Sequence, residues 1–295
     1  MKSAPSTEAI NRADRRKAIV LMCVAVSLFS VLDTLAKYLA NNTGLPVTQI
    51  IWVRFAGNIL LNLLMFGPLL LLAARNTPQK WMHFARSMLM AATTGLNFLA
   101  LKYLQLDQTV TMFFIAPLIV AALGGPLLNE WIGWRRFMAI VLGFTGVLFI
   151  TRIGFGGVHY AMIYSLGAAL TYALYMISTR YISKLEAPEL MQITAPLAGF
   201  ILFAPLAYAH WIWPQTLMIW ILLLAMGLIG GFGHWLLVLG HRLAPAPILA
   251  PFTYAGLPSM TLLGWMVFGD LPSWWTLLGA SIIMSSGGYL LWREQ

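Results

Sequence analysis

The sequence predicts an all-α, polytopic membrane protein whose ten transmembrane helices form two inverted five-helix repeats. Three observations predict it. Of the 295 residues, 60% are hydrophobic and only 9% are charged, with a mean hydropathy of +0.80. A soluble domain carries about 25% charged residues, so this chain has too little charge to cover a water-facing surface. Apolar runs then recur near 18–40, 48–73, 84–104, 109–128, 134–151, 160–182, 190–213, 217–240, 246–268 and 274–292. Each is long enough for the roughly 30 Å of bilayer hydrocarbon at about 1.5 Å per residue. Finally, the pattern repeats. Lys37-Tyr38-Leu39 returns as Arg180-Tyr181-Ile182 and Gln49-Ile50 as Gln192-Ile193, both 143 residues on. Asn129-Glu130 is answered by Gly269-Asp270, and Ala116-Pro117 by Leu257-Pro258, at spacings of 140 and 141.

Taken in order, residues 1–17 form a basic tail, with Arg12, Arg15, Arg16 and Lys17 ahead of a first span too long for a cleaved signal. Residues 18–152 hold the first repeat and 153–295 the second. The second span carries Arg54, and the third begins in the mixed stretch Trp81-Met82-His83-Phe84-Ala85-Arg86. Pro117 interrupts the fourth span, and Arg135 and Arg136 open the fifth. Arg180 closes the sixth. Pro196 breaks the seventh, and Trp211 and Trp213 anchor its end. The eighth contains Gly230-Gly231-Phe232-Gly233-His234-Trp235, whose glycines allow close packing or local unwinding. Pro251 and Pro258 lie in the ninth, and Trp274, Trp275 and Trp292 frame the tenth.

An odd number of crossings per repeat turns the second copy upside down, an arrangement typical of secondary transporters. With the N-terminus in the cytoplasm, that face holds Lys2, Arg12, Arg15, Arg16, Lys17, Arg75, Lys80, Arg86, Arg135, Arg136, Arg180, Lys184, Arg242 and Arg293. The opposite face holds only Lys37, Lys102 and Arg152. The positive-inside rule therefore predicts two cytoplasmic termini in the inner membrane. The net charge of +9 reflects this orientation and not nucleic-acid binding. Cys23 is the single cysteine, so the chain forms no internal disulfide and no thiolate metal site.

Ala100-Leu101-Lys102-Tyr103-Leu104, Phe113-Phe114-Ile115-Ala116-Pro117-Leu118, Asn129-Glu130 and Trp134 together resemble the C-terminal half of an EamA repeat, the unit of much of the drug/metabolite transporter superfamily. The second copy follows more loosely, in Leu257-Pro258, Gly269-Asp270, Trp274, Leu278-Gly279-Ala280 and Gly287-Gly288. Asp270 stands where that pattern has glutamate, and Asn129 where it has glycine. The resemblance covers nearly the whole chain and is nearest to the YddG-like amino-acid exporters. It implies a ten-helix permease for small metabolites, with no cofactor and no catalytic residues.

Ionisable groups inside spans are costly, which makes them candidates. Asp33 and Arg54 each lie about seven residues, roughly 10 Å, from the outer end of their spans. Either Asp33 pairs with Lys37 one turn away while Arg54 snorkels or caps backbone carbonyls, or both meet a polar substrate or a proton. Met176 and Leu197 occupy the equivalent positions of the second repeat, so charge recognition falls to one half. His234 is a titratable candidate. Gln49, Gln192, Asn97, Tyr103, Tyr172 and Tyr175 are candidates for a polar and aromatic lining, with Asn58, Asn62 and Tyr254 beside them. Trp52 and Trp235 lie deep enough to face a cavity. Pro117 and Pro258, at equivalent places, are gating candidates through helix kinks.

The expected function is export of amino acids, aromatic ones included, or of similar amphipathic metabolites by alternating access. The partners are the bilayer and a small solute, and the protein works as a monomer or homodimer. A nucleotide-sugar or sugar-phosphate carrier would need more buried cations than Arg54. A membrane-embedded enzyme would need a clustered nucleophile and base. Gly279-Ala280-Ser281 only faintly resembles a nucleophile turn, and the chain has no phosphate-binding loop.

Overall fold

Apolar runs without proline form single helices, and runs that carry proline divide. The computed structural model describes residues 12–104, 106–113, 115–131, 133–151 and 160–270, with short helical stretches beyond. The unbroken helices are α1 (Arg12–Asn42), α4 (Lys80–Tyr103), α7 (Trp134–Thr151), α8 (Met162–Ile182) and α11 (Leu217–Leu243). The expected second span splits into α2 (Val47–Phe66) and α3 (Leu69–Asn76). Gly67 turns there at a φ of 77°, and Pro68 has no N–H to continue the ladder. The fourth splits into α5 (Leu106–Phe113) and α6 (Ala116–Leu128), and the seventh into α9 (Pro188–Thr194) and α10 (Leu197–Ala209). The ninth becomes α12 (Ala246–Leu249), a 3₁₀ turn over Ala250–Ala255 and α13 (Gly256–Phe268).

Every described regular element is helical, and five stretches are long and apolar enough to cross a membrane: Arg12–Asn42, Val47–Phe66, Met162–Ile182, Pro188–Ala209 and Leu217–Leu243. Residues 1–11 of the basic tail, the junction of the repeats at 152–159 and most of the expected tenth span lie outside the described residues.

The prolines correct one expectation. Pro117 and Pro258 do not kink continuous helices. They stand in the first turns of α6 and α13, where an N–H would have no intrahelical partner, so proline costs little. Their settings also differ, since Pro117 is buried and Pro258 exposed.

Close backbone approach sets the packing. α11 runs antiparallel to α1: a Cβ on Gly240 would stand 3.4 Å from the Ala18 carbonyl oxygen, and one on Gly230 would stand 2.5 Å from Leu32. α11 is unbroken through its glycines, so they serve close packing and not unwinding. α2 crosses the same helix where Gly57 meets Gly227, and a Cβ on Gly227 would lie 2.7 Å from the Gly57 Cα. Gly227→Val is therefore expected to force α2 off α11 at a cost of about 1–3 kcal/mol. The check is the melting temperature in detergent, and an unchanged value would mean that the crossing relaxes freely.

Two matching caps end α6 and α13. Asn129 (φ 56°) and Gly269 (φ 74°) adopt the left-handed conformation. The Asn129 and Glu130 N–H groups reach back to the Gly125 and Gly124 carbonyls at 2.9 and 3.2 Å. Those of Gly269 and Asp270 reach the Trp265 and Gly264 carbonyls at 3.0 and 3.2 Å. Asparagine and glycine are the residues that tolerate this φ, which explains how Asn129 substitutes for glycine. Each cap hands the chain to an acidic residue.

Candidate functional site

A cavity opens where the two halves meet. α1 supplies Phe29, Ser30 and Asp33, α2 supplies Arg54, and α4 supplies Thr93, Thr94, Asn97 and Phe98. Across from them stand Tyr172 and Tyr175 of α8, His234 of α11, and Thr253, Gly256 and Met260 around the start of α13. Phe113 of α5 and Val26, Leu32 and Met90 complete the wall. The space between atoms, open mouth included, is about 830 Å³.

Six of the candidates named from sequence line this chamber: Asp33, Arg54, Asn97, Tyr172, Tyr175 and His234. The expected Asp33–Lys37 pair does not form. Asp33 instead accepts a hydrogen bond from Asn97 Nδ2 at 2.9 Å. Lys37 faces Asp270 at 4.0 Å and lies over the Phe268 ring. Arg54 neither snorkels nor caps carbonyls. Its Nη1 donates to Thr94 Oγ1 at 2.8 Å, and its Nη2 meets His234 Nε2 at 3.2 Å. Its Nε is buried without a partner.

The remaining candidates lie elsewhere. Gln49 is buried and clasps the Ile212 backbone, donating at 2.7 Å and accepting at 3.0 Å. Gln192 donates to Asn62 Oδ1 and to the Gly231 carbonyl, while Asn62 donates to Asn58 and to the Gln192 carbonyl. These amides hold helices together because an unsatisfied amide in a membrane interior is costly. Tyr103 is 47% exposed and packs on Tyr160, away from the chamber. Tyr254 packs against Gly143. Trp52 stacks on Phe200 and Trp235 tilts onto Phe66. Ser281 Oγ donates to the Leu277 carbonyl, as an ordinary helical serine does.

Sequence reading missed Arg86, which it assigned to a basic span end. Arg86 is fully buried. It donates to Thr179 Oγ1, the Met191 carbonyl and Tyr175 Oη, each at 2.8 Å. Tyr175 Oη in turn lies 3.3 Å from His234 Nδ1. A continuous polar chain thus runs Arg86–Tyr175–His234–Arg54–Thr94 through the apolar interior.

Two acid–base pairs bracket the chamber. Glu130 Oε1 accepts from Arg180 Nε and Lys184 Nζ, both at 2.8 Å, and Glu130 Oε2 accepts from the Ala246 N–H at 3.2 Å. Arg180 Nη1 also caps the His241 carbonyl at 2.7 Å. Partial burial alone would push the Glu130 carboxyl up, but Lys184 and Arg180 outweigh it and hold it below its ordinary value. The second pair is Lys37–Asp270, longer and wetter, with the Asp270 side chain 42% exposed. Each pair joins the basic residue near the end of one half's first helix to the acid after the other half's cap. His241 and Ala18 lie at the same end of the bundle, so the pairs stand about 28 Å apart along α1. Ala18, Met22, Leu237 and Ala246 are fully buried between the chamber and the Glu130 end.

Residues 16–152 and 159–291 each match the EamA-like transporter family. A riboflavin transporter of Vibrio cholerae is 28% identical over 270 residues, covering 91% of both chains. An S-adenosylmethionine uptake transporter of Rickettsia prowazekii is 24% identical over 90% of this chain and 89% of its own. The pseudopaline exporter CntI of Pseudomonas aeruginosa is 24% identical over 92% and 95%. A solved crystal structure superposes with a TM-score of 0.75 at 18% identity, over 94% of this chain and 98% of that one.

Proposed function

The chain belongs to the EamA-like transporter family, and on that premise we propose that the Asp33–Arg54 chamber is the solute site of a secondary permease working by alternating access. The observation that carries this reading is the chamber itself. It lies between the two repeats and brings a half-buried carboxylate and a buried guanidinium to one apolar, aromatic wall. The ten spans, in two inverted halves, put both termini in the cytoplasm of the inner membrane. Under that orientation the sealed Glu130 end is cytoplasmic. The loose Lys37–Asp270 pair faces outward, which suits a state open to the outside. Reporter fusions that put the termini on opposite faces would overturn the orientation.

The solute is a small amphipathic metabolite with a planar, polar-edged ring of the flavin kind. Phe29, Phe98, Phe113, Tyr172 and Tyr175 offer such a ring faces to stack on. The riboflavin transporters among the relatives support this choice. A second reading is export of amino acids, aromatic ones included. It is favoured by Asp33 and Arg54 facing one chamber while each is bonded to neutral partners, free to meet an ammonium and a carboxylate. A phosphate-bearing solute fits less well, because Arg86 is fully engaged and Arg54 alone meets the chamber. The test is flux through purified protein in liposomes, with riboflavin, S-adenosylmethionine, phenylalanine and tryptophan in parallel. Riboflavin flux saturable above empty liposomes supports the first reading, amino-acid flux alone supports the second, and no flux of any solute defeats both.

Pro117 and Pro258 serve as joints between helix segments. Alanine supplies the missing N–H and lets α5 run into α6, or the 3₁₀ turn into α13. Turnover is expected to fall several-fold in Pro117→Ala or Pro258→Ala while substrate affinity holds. Normal turnover with unchanged cysteine accessibility at both mouths would make these prolines packing features.

A further inference from the structure

We infer that Tyr175 presents its hydroxyl hydrogen to the solute, and that Arg86 and His234 hold it in that state, so the chamber selects a ring bearing a carbonyl or ring-nitrogen acceptor. This rests on the permease reading above and names the group that the wall recognises. The argument is an accounting of donors. A guanidinium has only N–H groups to offer. Arg54 Nη2 lies 3.2 Å from His234 Nε2, so that nitrogen must present its lone pair. The ring hydrogen then sits on Nδ1, which faces Tyr175 Oη at 3.3 Å and donates to it. Arg86 Nη2 donates to the same oxygen at 2.8 Å. Tyr175 Oη therefore receives two hydrogen bonds from within the protein, and its own hydrogen can return to neither donor. Tyr175 lines the chamber, and a buried hydroxyl hydrogen without a partner is costly until a solute accepts it.

Arg86 is thus a positioning residue. It does not itself line the chamber, yet it fixes the polarity of a residue that does. The complementary group is Asp33, bonded to Asn97 through Oδ1. A solute ring that carries an N–H as well as a carbonyl, as a cyclic imide or lactam does, has a partner of each kind on this wall.

Two measurements test this. The first needs no solute: ¹⁵N-histidine NMR of the intact protein in detergent, with His234 assigned by its loss in His234→Gln. The expected signature is a neutral ring protonated at Nδ1. In Arg86→Met that signature should persist while Tyr175 gains a free acceptor site. A ring protonated at Nε2, or an imidazolium at neutral pH, overturns the proposal whatever the solute is. The second compares riboflavin with an analogue lacking one ring carbonyl, in the parent and in Tyr175→Phe. The parent should prefer riboflavin by about three- to tenfold, the worth of one hydrogen bond, and Tyr175→Phe should abolish the preference. Arg86→Lys should reduce the preference. Equal binding of both probes by the parent overturns the inference and leaves the permease reading intact. If riboflavin does not bind at all, the flavin reading fails while the NMR result still decides the Tyr175 assignment.

Discussion

Glu130→Gln is expected to unlock the Glu130 end of the bundle and raise its accessibility at least tenfold. The carboxylate gathers Arg180, Lys184 and the Ala246 N–H onto one residue, tying α8 and α12 to the end of α6. Truncating one member of a buried, hydrogen-bonded charge pair costs about 2–5 kcal/mol. On the alternating-access reading proposed above only the closed state makes the contact, so the whole cost acts on the balance between states, where about 1.4 kcal/mol is tenfold. The measurement is maleimide labelling of a cysteine at Met22 or Leu237, both fully buried below the chamber, in a background with Cys23 replaced. Asp270→Asn is the control. Its pair spans 4.0 Å with the acid 42% exposed, so removing it should shift labelling less than about threefold. The charge-swapped double variant Glu130→Lys with Arg180→Glu should regain part of the closure. The pH dependence has a definite sign. Because the Glu130 carboxyl is held below its ordinary value, the lock is fully present above that value and fails only as pH falls through the lowered one. Labelling that does not respond to Glu130→Gln would remove the pair from any role in closure.

Asp33→Asn carries the second large effect. Asparagine keeps an acceptor for Asn97 Nδ2 and keeps the volume, so expression and melting temperature should stay near those of the parent. It removes the charge offered to the solute, and a hydrogen bond to a charged group is worth about 1.5–3 kcal/mol. Transport should therefore fall about ten- to hundredfold, read as initial flux in liposomes at matched protein density. Unchanged flux with lowered stability would assign Asp33 to the packing of α1 on α4 instead.

Asp33 and Arg54 were legible in the sequence because a charge amid apolar residues stands out whatever the fold. Arg86 was not, because six residues into α4 it reads as the basic end of a span. Only the approach of α8 and α9 reveals that its head is buried. The helix breaks were half legible: proline marks a missing donor, yet hydropathy is blind to the left-handed turn that Gly67 makes before Pro68. The repeat itself was legible, but its pairs were not. Lys37 and Arg180 are equivalents and never meet. Each finds its acid in the opposite half, Arg180 across 50 residues of chain and Lys37 across 233. Tyr103 and the two glutamines misled because polarity in a span signals either a ligand or another helix, and only packing tells them apart.

The crossed pairing has a consequence for ancestry. The first half holds a base, Lys37, and an acid, Glu130. The second holds Arg180 and Asp270 in the same roles. Either half alone would thus be complementary to an upside-down copy of itself, with both contacts satisfied by one two-fold axis lying in the membrane plane. A half-length forebear able to insert in either direction would have assembled as an antiparallel dimer with no further invention. Fusion into one chain would release the copies from identity. Met176 and Leu197 now stand at the places equivalent to Asp33 and Arg54. A chamber with one charged wall and one neutral wall is available to a duplicated chain, and closed to a symmetric pair of identical ones.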